Sequence, residues 1–267
     1  MSFARRPVPF AALLLGACLR SETPRPATPI NHTLEELRVR VVRTLPHDPG
    51  AFTQGLLMFE GKLYESTGLF TESTLRRVDP DSGTVEAKVA LEPQLFGEGL
   101  ARVGGRLIQL TWKNGRALVW NLSSFKKERE VTYEGEGWGL CFDGHRLLMT
   151  DGSDQLFFRD AESFAKTGQV SVRRAGMPVF QLNELECADG VVYANVWQDS
   201  HIVRIDPATG EVTGWIDASN LLSAEERIGA DVLNGIAALP GSRNLLITGK
   251  KWPHAFEVEV VSASAAP

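Results

Sequence analysis

The sequence predicts an all-β fold: a five-bladed propeller of four-stranded antiparallel blades. A hairpin motif occurs five times, a second hairpin follows each of the first four copies, and a lone strand before the first copy supplies what the last one lacks. Four strands in about 45 residues is the period of a propeller blade.

The chain opens with an address. Arg5 and Arg6 precede an apolar run, Pro7 to Ala17, too short to cross a bilayer as a helix. Residues 1–17 therefore read as an export signal. Leu15-Gly16-Ala17-Cys18 has the pattern of a bacterial lipobox, which makes Cys18 the residue lipidated after cleavage. An ordinary signal peptide in which Cys18 is incidental is the alternative. Both place the mature protein on the periplasmic side of a bacterial membrane or outside the cell, touching a membrane only through the lipid. Residues 18–36 are rich in Pro and Thr and read as a tether, leaving 37–267 for the propeller. Cys141 and Cys187 hold equivalent places in two repeats, so two buried free thiols are expected rather than a disulfide.

Leu37 to Arg43 alternates apolar and charged residues and is the closing strand, which removes an exposed edge from the last blade. The first hairpins start at Gln54-Gly55-Leu56, Glu98-Gly99-Leu100, Trp138-Gly139-Leu140, Asn183-Glu184-Leu185 and Asn234-Gly235-Ile236. Their turns fall at Glu60-Gly61, Gly104-Gly105, Asp143-Gly144, Asp189-Gly190 and Pro240-Gly241, where Gly is the hairpin signal. The second hairpins turn at Asp79 to Gly83, Asn121 to Phe125, Asp160 to Phe164 and Asp206 to Gly210. An insertion, Ser219 to Gly229, carries Ser223 and Glu226 at capping-box spacing and is expected to form a short helix. The fifth copy ends with a single strand, Ala255 to Val261.

Radial repetition brings equivalent residues together at the mouth of the central channel. The first slot of each repeat holds Gln54, Glu98, Trp138 (or Gly137, one residue earlier), Asn183 and Asn234. The returning strand ends seven residues beyond the turn glycine, at Gly68, Trp112, Asp151 and Trp197, and in the fifth copy near Thr248-Gly249-Lys250. Phe52 and Phe96 lie two residues before a first-slot position and wall the same volume. An apolar concavity with a few convergent polar groups describes a small-molecule site. Glu98 is its candidate acid/base, because a carboxylate among apolar walls is costly unless used or paired. For Asn234, hydrogen bonding between blades is an equal alternative. The net charge of −5 excludes phosphate neutralisation, so no nucleic acid is expected as a partner. His32, His47, His145, His201 and His254 are scattered without zinc-ligand spacing, and no phosphate-cradling Gly loop precedes a helix, so neither a zinc site nor a nucleotide cofactor is expected.

Seven segments carry a resemblance. Phe52-Thr53-Gln54-Gly55-Leu56, Phe96-Gly97-Glu98-Gly99-Leu100, Leu110-Thr111-Trp112, Gly137-Trp138-Gly139-Leu140, Leu182-Asn183-Glu184-Leu185-Glu186, Leu233-Asn234-Gly235-Ile236-Ala237 and Thr248-Gly249-Lys250-Lys251-Trp252-Pro253 are similar to the motifs of plant and bacterial glutaminyl-peptide cyclotransferases. That resemblance runs in order from about His47 to Val260. It implies a metal-independent five-bladed propeller, unlike the zinc-dependent animal enzymes, and conversion of N-terminal Gln of peptides or proteins to pyroglutamate with loss of ammonia. It implies Glu98 as acid/base and Phe52, Gln54, Phe96, Trp112, Trp138, Asn183, Trp197 and Lys250 as pocket residues, with Lys251 the competing lysine. A monomer is expected. Two rival readings are a calcium-dependent propeller hydrolase of the lactonase kind, with Glu98, Asn183 and Asn234 as oxygen ligands, and a non-catalytic propeller that binds a partner on one face.

Overall fold

The computed structural model describes Met1 and residues 34–264, and among these every regular element is a β-strand. The expected leader 1–17, Cys18, His32 and the tether up to residue 33 lie outside the described residues. Five four-stranded units follow one another. The first is β2 (Thr53–Phe59), β3 (Lys62–Thr67), β4 (Thr74–Val78) and β5 (Val85–Ala90); the second is β6 (Gly97–Val103), β7 (Arg106–Thr111), β8 (Arg116–Asn121) and β9 (Lys127–Thr132). The third is β10 (Leu140–Phe142), β11 (Leu147–Met149), β12 (Gln155–Arg159) and β13 (Lys166–Ser171), followed by a small hairpin of β14 (Arg173–Arg174) and β15 (Met177–Pro178). The fourth is β16 (Leu182–Ala188), β17 (Val191–Val196), β18 (His201–Ile205) and β19 (Val212–Asp217). The fifth is β20 (Leu233–Ala238), β21 (Leu245–Gly249) and β22 (His254–Ser262), completed by β1 (Glu35–Pro46) lying antiparallel to β22. Residues Glu35 to Arg38 of β1 also pair in parallel with β19, so units four and five form one eight-stranded sheet. The closing strand begins at Glu35, inside the segment expected to be tether.

Burial grades along each unit. β2 and β3 are almost wholly buried, whereas β5 and β9 alternate exposed and half-buried residues, the pattern of strands with one wet face. The apolar core is five clusters, one between each pair of successive units. Leu57 and Leu75 meet Leu100 and Leu107, Ile108 meets Leu147, Leu148 meets Leu185, Ile202 meets Ile236, and Ala237 and Leu246 meet Leu56 and Leu63.

The first strands touch in sequence, β2 with β6, β6 with β10, β10 with β16, β16 with β20, and β20 with β2. This approach explains the glycine of the motif. A Cβ on Gly55 would lie 2.5 Å from the Leu100 backbone nitrogen, and one on Gly139 would lie 2.0 Å from the Asn183 carbonyl oxygen. Where the fourth copy has Glu184 instead, its buried carboxyl accepts hydrogen bonds from the backbone N–H of Leu56 (3.2 Å) and Ile236 (2.9 Å).

Two expectations are corrected. Cys141 and Cys187 form a disulfide, with Cα atoms 5.4 Å apart. Counted back from the turn glycines, the two cysteines are equivalent, but the first hairpin of unit three is one residue shorter. Counted from the matching residues Leu140 and Leu185, Cys187 is one place further along, and alternation along a strand turns it toward β10. The insertion 219–229 is not a helix. Its capping box forms, with Ser223 N–H donating to Glu226 (2.8 Å) and Glu226 N–H to Ser223 (3.2 Å), but a single turn follows before Gly229 at φ 91°. So short a segment does not repay helix nucleation.

Candidate active site

The first strands begin, and the second strands end, at one mouth. A cavity of about 530 Å³ opens there, lined by Glu98 together with Phe52, Gln54, Phe96, Trp112, Trp138, Asn183, Trp197 and Lys250. Trp138, not Gly137, takes the third first-slot position. Asn234 does not line the cavity. It is buried behind Gln54, where its Nδ2 donates to the Thr53 carbonyl (2.9 Å) and to Gln54 Oε1 (3.2 Å).

Local backbone sets these positions. The residue after each returning-strand position is left-handed in four units, at Leu69 (φ 82°), Gly152 (φ 83°), Gln198 (φ 65°) and Lys251 (φ 58°). That turn takes the chain off the mouth. Lys250 accordingly faces the cavity and Lys251 does not line it. Small residues leave room for rings. A Cβ on Gly68 would lie 2.3 Å from Phe96, and one on Gly152 would lie 2.8 Å from Trp138.

The aromatic walls form two arcs. Phe96 stands at 6.1 Å from Phe52 and 5.6 Å from Trp112 between ring centroids, and Trp138 stands at 5.8 Å from Trp197. Edge-on and tilted pairs of this kind add to the burial of the rings and fix their positions.

Polar groups enter this apolar space with capacity to spare. Glu98, Lys250 and Asn183 are 4%, 4% and 2% exposed. Gln54 Nε2 donates to Glu98 Oε1 at 3.0 Å. Among the described residues, the Asn183 carboxamide and the Lys250 ammonium have no hydrogen-bond partner, though the ammonium lies 4.9 Å from the centre of the Phe52 ring. Burial pushes the Glu98 carboxyl well above the usual carboxylate range; the Lys250 charge opposes that shift and the Glu136 charge adds to it. Burial likewise lowers Lys250, opposed by Glu98 and Asp231. A protonatable carboxyl, an ammonium and a free carboxamide therefore converge on a space walled by rings. Groups so arranged can exchange a proton and bind an amide of a small ligand.

Leu69, Asp151, Gly152 and Gln181 also line the cavity, and Glu136 sits behind the indoles, its Oε2 accepting from Trp112 Nε1 (2.7 Å) and Trp138 Nε1 (3.0 Å). The repeat contained the signal for two of these. Phe52 and Phe96 each precede a first-slot residue by two, and Glu136 and Gln181 occupy that same place before Trp138 and Asn183.

The glutamine cyclotransferase family model matches residues 11–260. The chain is 40% identical over 242 residues to the glutaminyl-peptide cyclotransferase of Arabidopsis thaliana, covering 88% of this chain and 75% of that one. Its structure is similar to the crystal structure of Myxococcus xanthus glutaminyl cyclase, with a TM-score of 0.79, 41% identity, and coverage of 87% of this chain and 100% of that one. With a match across most of its length and a relative this similar, the chain belongs to the glutamine cyclotransferase family.

Proposed function

We propose that this protein is a glutaminyl-peptide cyclotransferase whose aromatic cavity binds the N-terminal Gln of a peptide and closes it to pyroglutamate, with Glu98 as acid/base. The observation that carries the reading is the convergence of buried Glu98, Lys250 and Asn183 in the aromatic cavity. The α-amine attacks the γ-carboxamide carbon of the same residue, a C–N bond forms, and the original C–N bond to the amide nitrogen breaks. Both reacting groups are in one molecule, so holding the curled side chain is much of the task. The rings of Phe96, Trp112, Trp138 and Trp197 supply that enclosure. Glu98 takes a proton from the attacking amine and returns it to the departing nitrogen, which leaves as ammonia. Burial raises its pKa, which makes the carboxylate a stronger proton acceptor than an ordinary one. Lys250 and Asn183 face the carbonyl oxygens of the substrate and stabilise the charge that develops there.

The calcium-hydrolase reading is less favoured, because Asn234 is turned to Gln54 and Thr53 and Lys250 occupies the same cavity as Glu98. Like charge beside a divalent cation is unfavourable. The cyclic contacts of the first strands support a five-bladed propeller closed by β1. The disulfide supports export to an oxidising compartment, in keeping with the leader and with a lipid on Cys18.

The test is ammonia release from a Gln-Xaa dipeptide, with and without EDTA. Turnover that persists in EDTA is expected; no release from any Gln-peptide overturns the reading. Glu98→Gln is expected to stay folded and lose about 10² to 10⁴-fold in kcat, the usual contribution of a general acid/base. Near-native turnover in that variant removes Glu98 from the mechanism.

A further inference from the structure

The two aromatic arcs of the cavity are joined by one carboxylate. Trp112 follows β7 of unit two and Trp138 precedes β10 of unit three, yet both indole N–H groups donate to the same oxygen, Glu136 Oε2. The other oxygen of Glu136 faces Lys113 Nζ at 3.6 Å, and that ammonium stands 4.0 Å above the Trp112 ring centroid. Trp112 is therefore held on three sides, by Phe96, Lys113 and Glu136. Burial alone would raise the Glu136 carboxyl, but the N–H donors of Trp138 and Trp112 and the Lys113 charge hold it below the usual range, so it is ionised at neutral pH. A charged acceptor makes the stronger hydrogen bond, and an indole has only one donor with which to be fixed.

We propose that Glu136 is a positioning residue for the cyclisation: it locks Trp112 and Trp138 into one continuous wall across the junction of units two and three, and its negative charge adds to the field at Glu98. Without it, neither indole N–H has its acceptor, Trp138 is left to ring packing and Trp112 to Phe96 and the Lys113 ammonium, and the space in which the glutamine side chain curls widens. The electrostatic part has a definite sign. A negative charge beside Glu98 favours its protonated form. The other ionisable groups around the two are Lys250 and Asp151 in the cavity, Tyr133 near Glu98, Lys113 on the rim, and Glu134, Arg159 and Lys166 in the groove behind Glu136. This role rests on the cyclase reading above.

Two variants test it. Glu136→Gln keeps an acceptor for the indoles and removes the charge; Glu136→Ala removes both. The alanine variant is expected to lower kcat/KM about tenfold or more, chiefly through KM, and to change intrinsic tryptophan emission. The glutamine variant is expected to retain more of kcat/KM than alanine does, and to move the Glu98 limb of the pH profile to lower pH. Wild-type emission and kcat/KM in folded Glu136→Ala, or an unmoved limb in Glu136→Gln, overturns the proposal. Should Glu136→Ala not fold, the pH profile of Glu136→Gln decides. If the wild type releases no ammonia, the cyclase reading fails instead, while the emission comparison still reports on the indole clamp.

Discussion

A buried chain of side chains, Asn234 to Gln54 to Glu98, shows how single residues share the work of this site. Asn234 Nδ2 donates to Gln54 Oε1, which orients the Gln54 amide so that its nitrogen donates to Glu98. Asn234 thus lies outside the cavity and meets it only through Gln54. Asn234→Ala leaves Gln54 Oε1 without its partner and is expected to reduce kcat/KM about tenfold, the cost of one net hydrogen bond of about 1.4 kcal/mol. Placed on Glu98→Gln, the same change should cost much less, since groups in one network are not additive. Equal losses in both backgrounds would place Asn234 outside the network. At this scale, legibility followed chemistry. Glu98 stood out because a carboxylate at the start of a buried strand needs a reason. Glu136 did not, because Glu134-Gly135-Glu136 reads as an ordinary wet loop and its two indole partners belong to different units.

At the scale of elements, the packing of neighbouring first strands is the tightest feature. Gly139 of the motif sits against the Asn183 carbonyl with no space for a methyl group. Because the obstacle is backbone, Gly139→Ala is expected to destabilise the protein by at least about 2 kcal/mol, seen as a lower denaturant midpoint. The nearby disulfide ties β10 to β16 across a sequence separation of 46 residues. By the chain-entropy model, closing such a loop contributes about 4 kcal/mol, so reduction should lower the Tm markedly while the folded enzyme stays active. A Tm indifferent to reductant would show that the crosslink adds nothing. The alternating runs and Gly turns made the strands and their order legible. The disulfide was not, since it depends on a single deleted residue in one hairpin.

Across the whole molecule, the first and fifth units are clasped by a buried ionic cluster. His47, in the link between β1 and β2, bonds through Nδ1 to the Trp252 carbonyl of unit five (2.7 Å) and through Nε2 to Glu65 of unit one (3.1 Å). Thr53 and Arg76 complete the surroundings of Glu65. Burial lowers the His47 pKa, but the Glu65 hydrogen bond and charge and the Trp252 carbonyl outweigh it, and the net shift is upward from 6.5. Burial raises Glu65, yet His47, Arg76 and Thr53 hold it below 4.5. Stability from His47 is therefore complete below pH 6.5 and is lost as pH rises through its raised folded value. Stability from Glu65 is present above 4.5 and is lost as pH falls through its depressed value. The clasp contributes most between the two unfolded values, from pH 4.5 to 6.5. Thermal melts from about pH 6 to pH 9 should accordingly show a decline in wild-type Tm that is shallower in His47→Gln, which cannot titrate. Parallel curves for the two proteins would mean that the charge on His47 does not hold units one and five together, leaving that to strand contacts and to the pairing of β1 with β22 and β19.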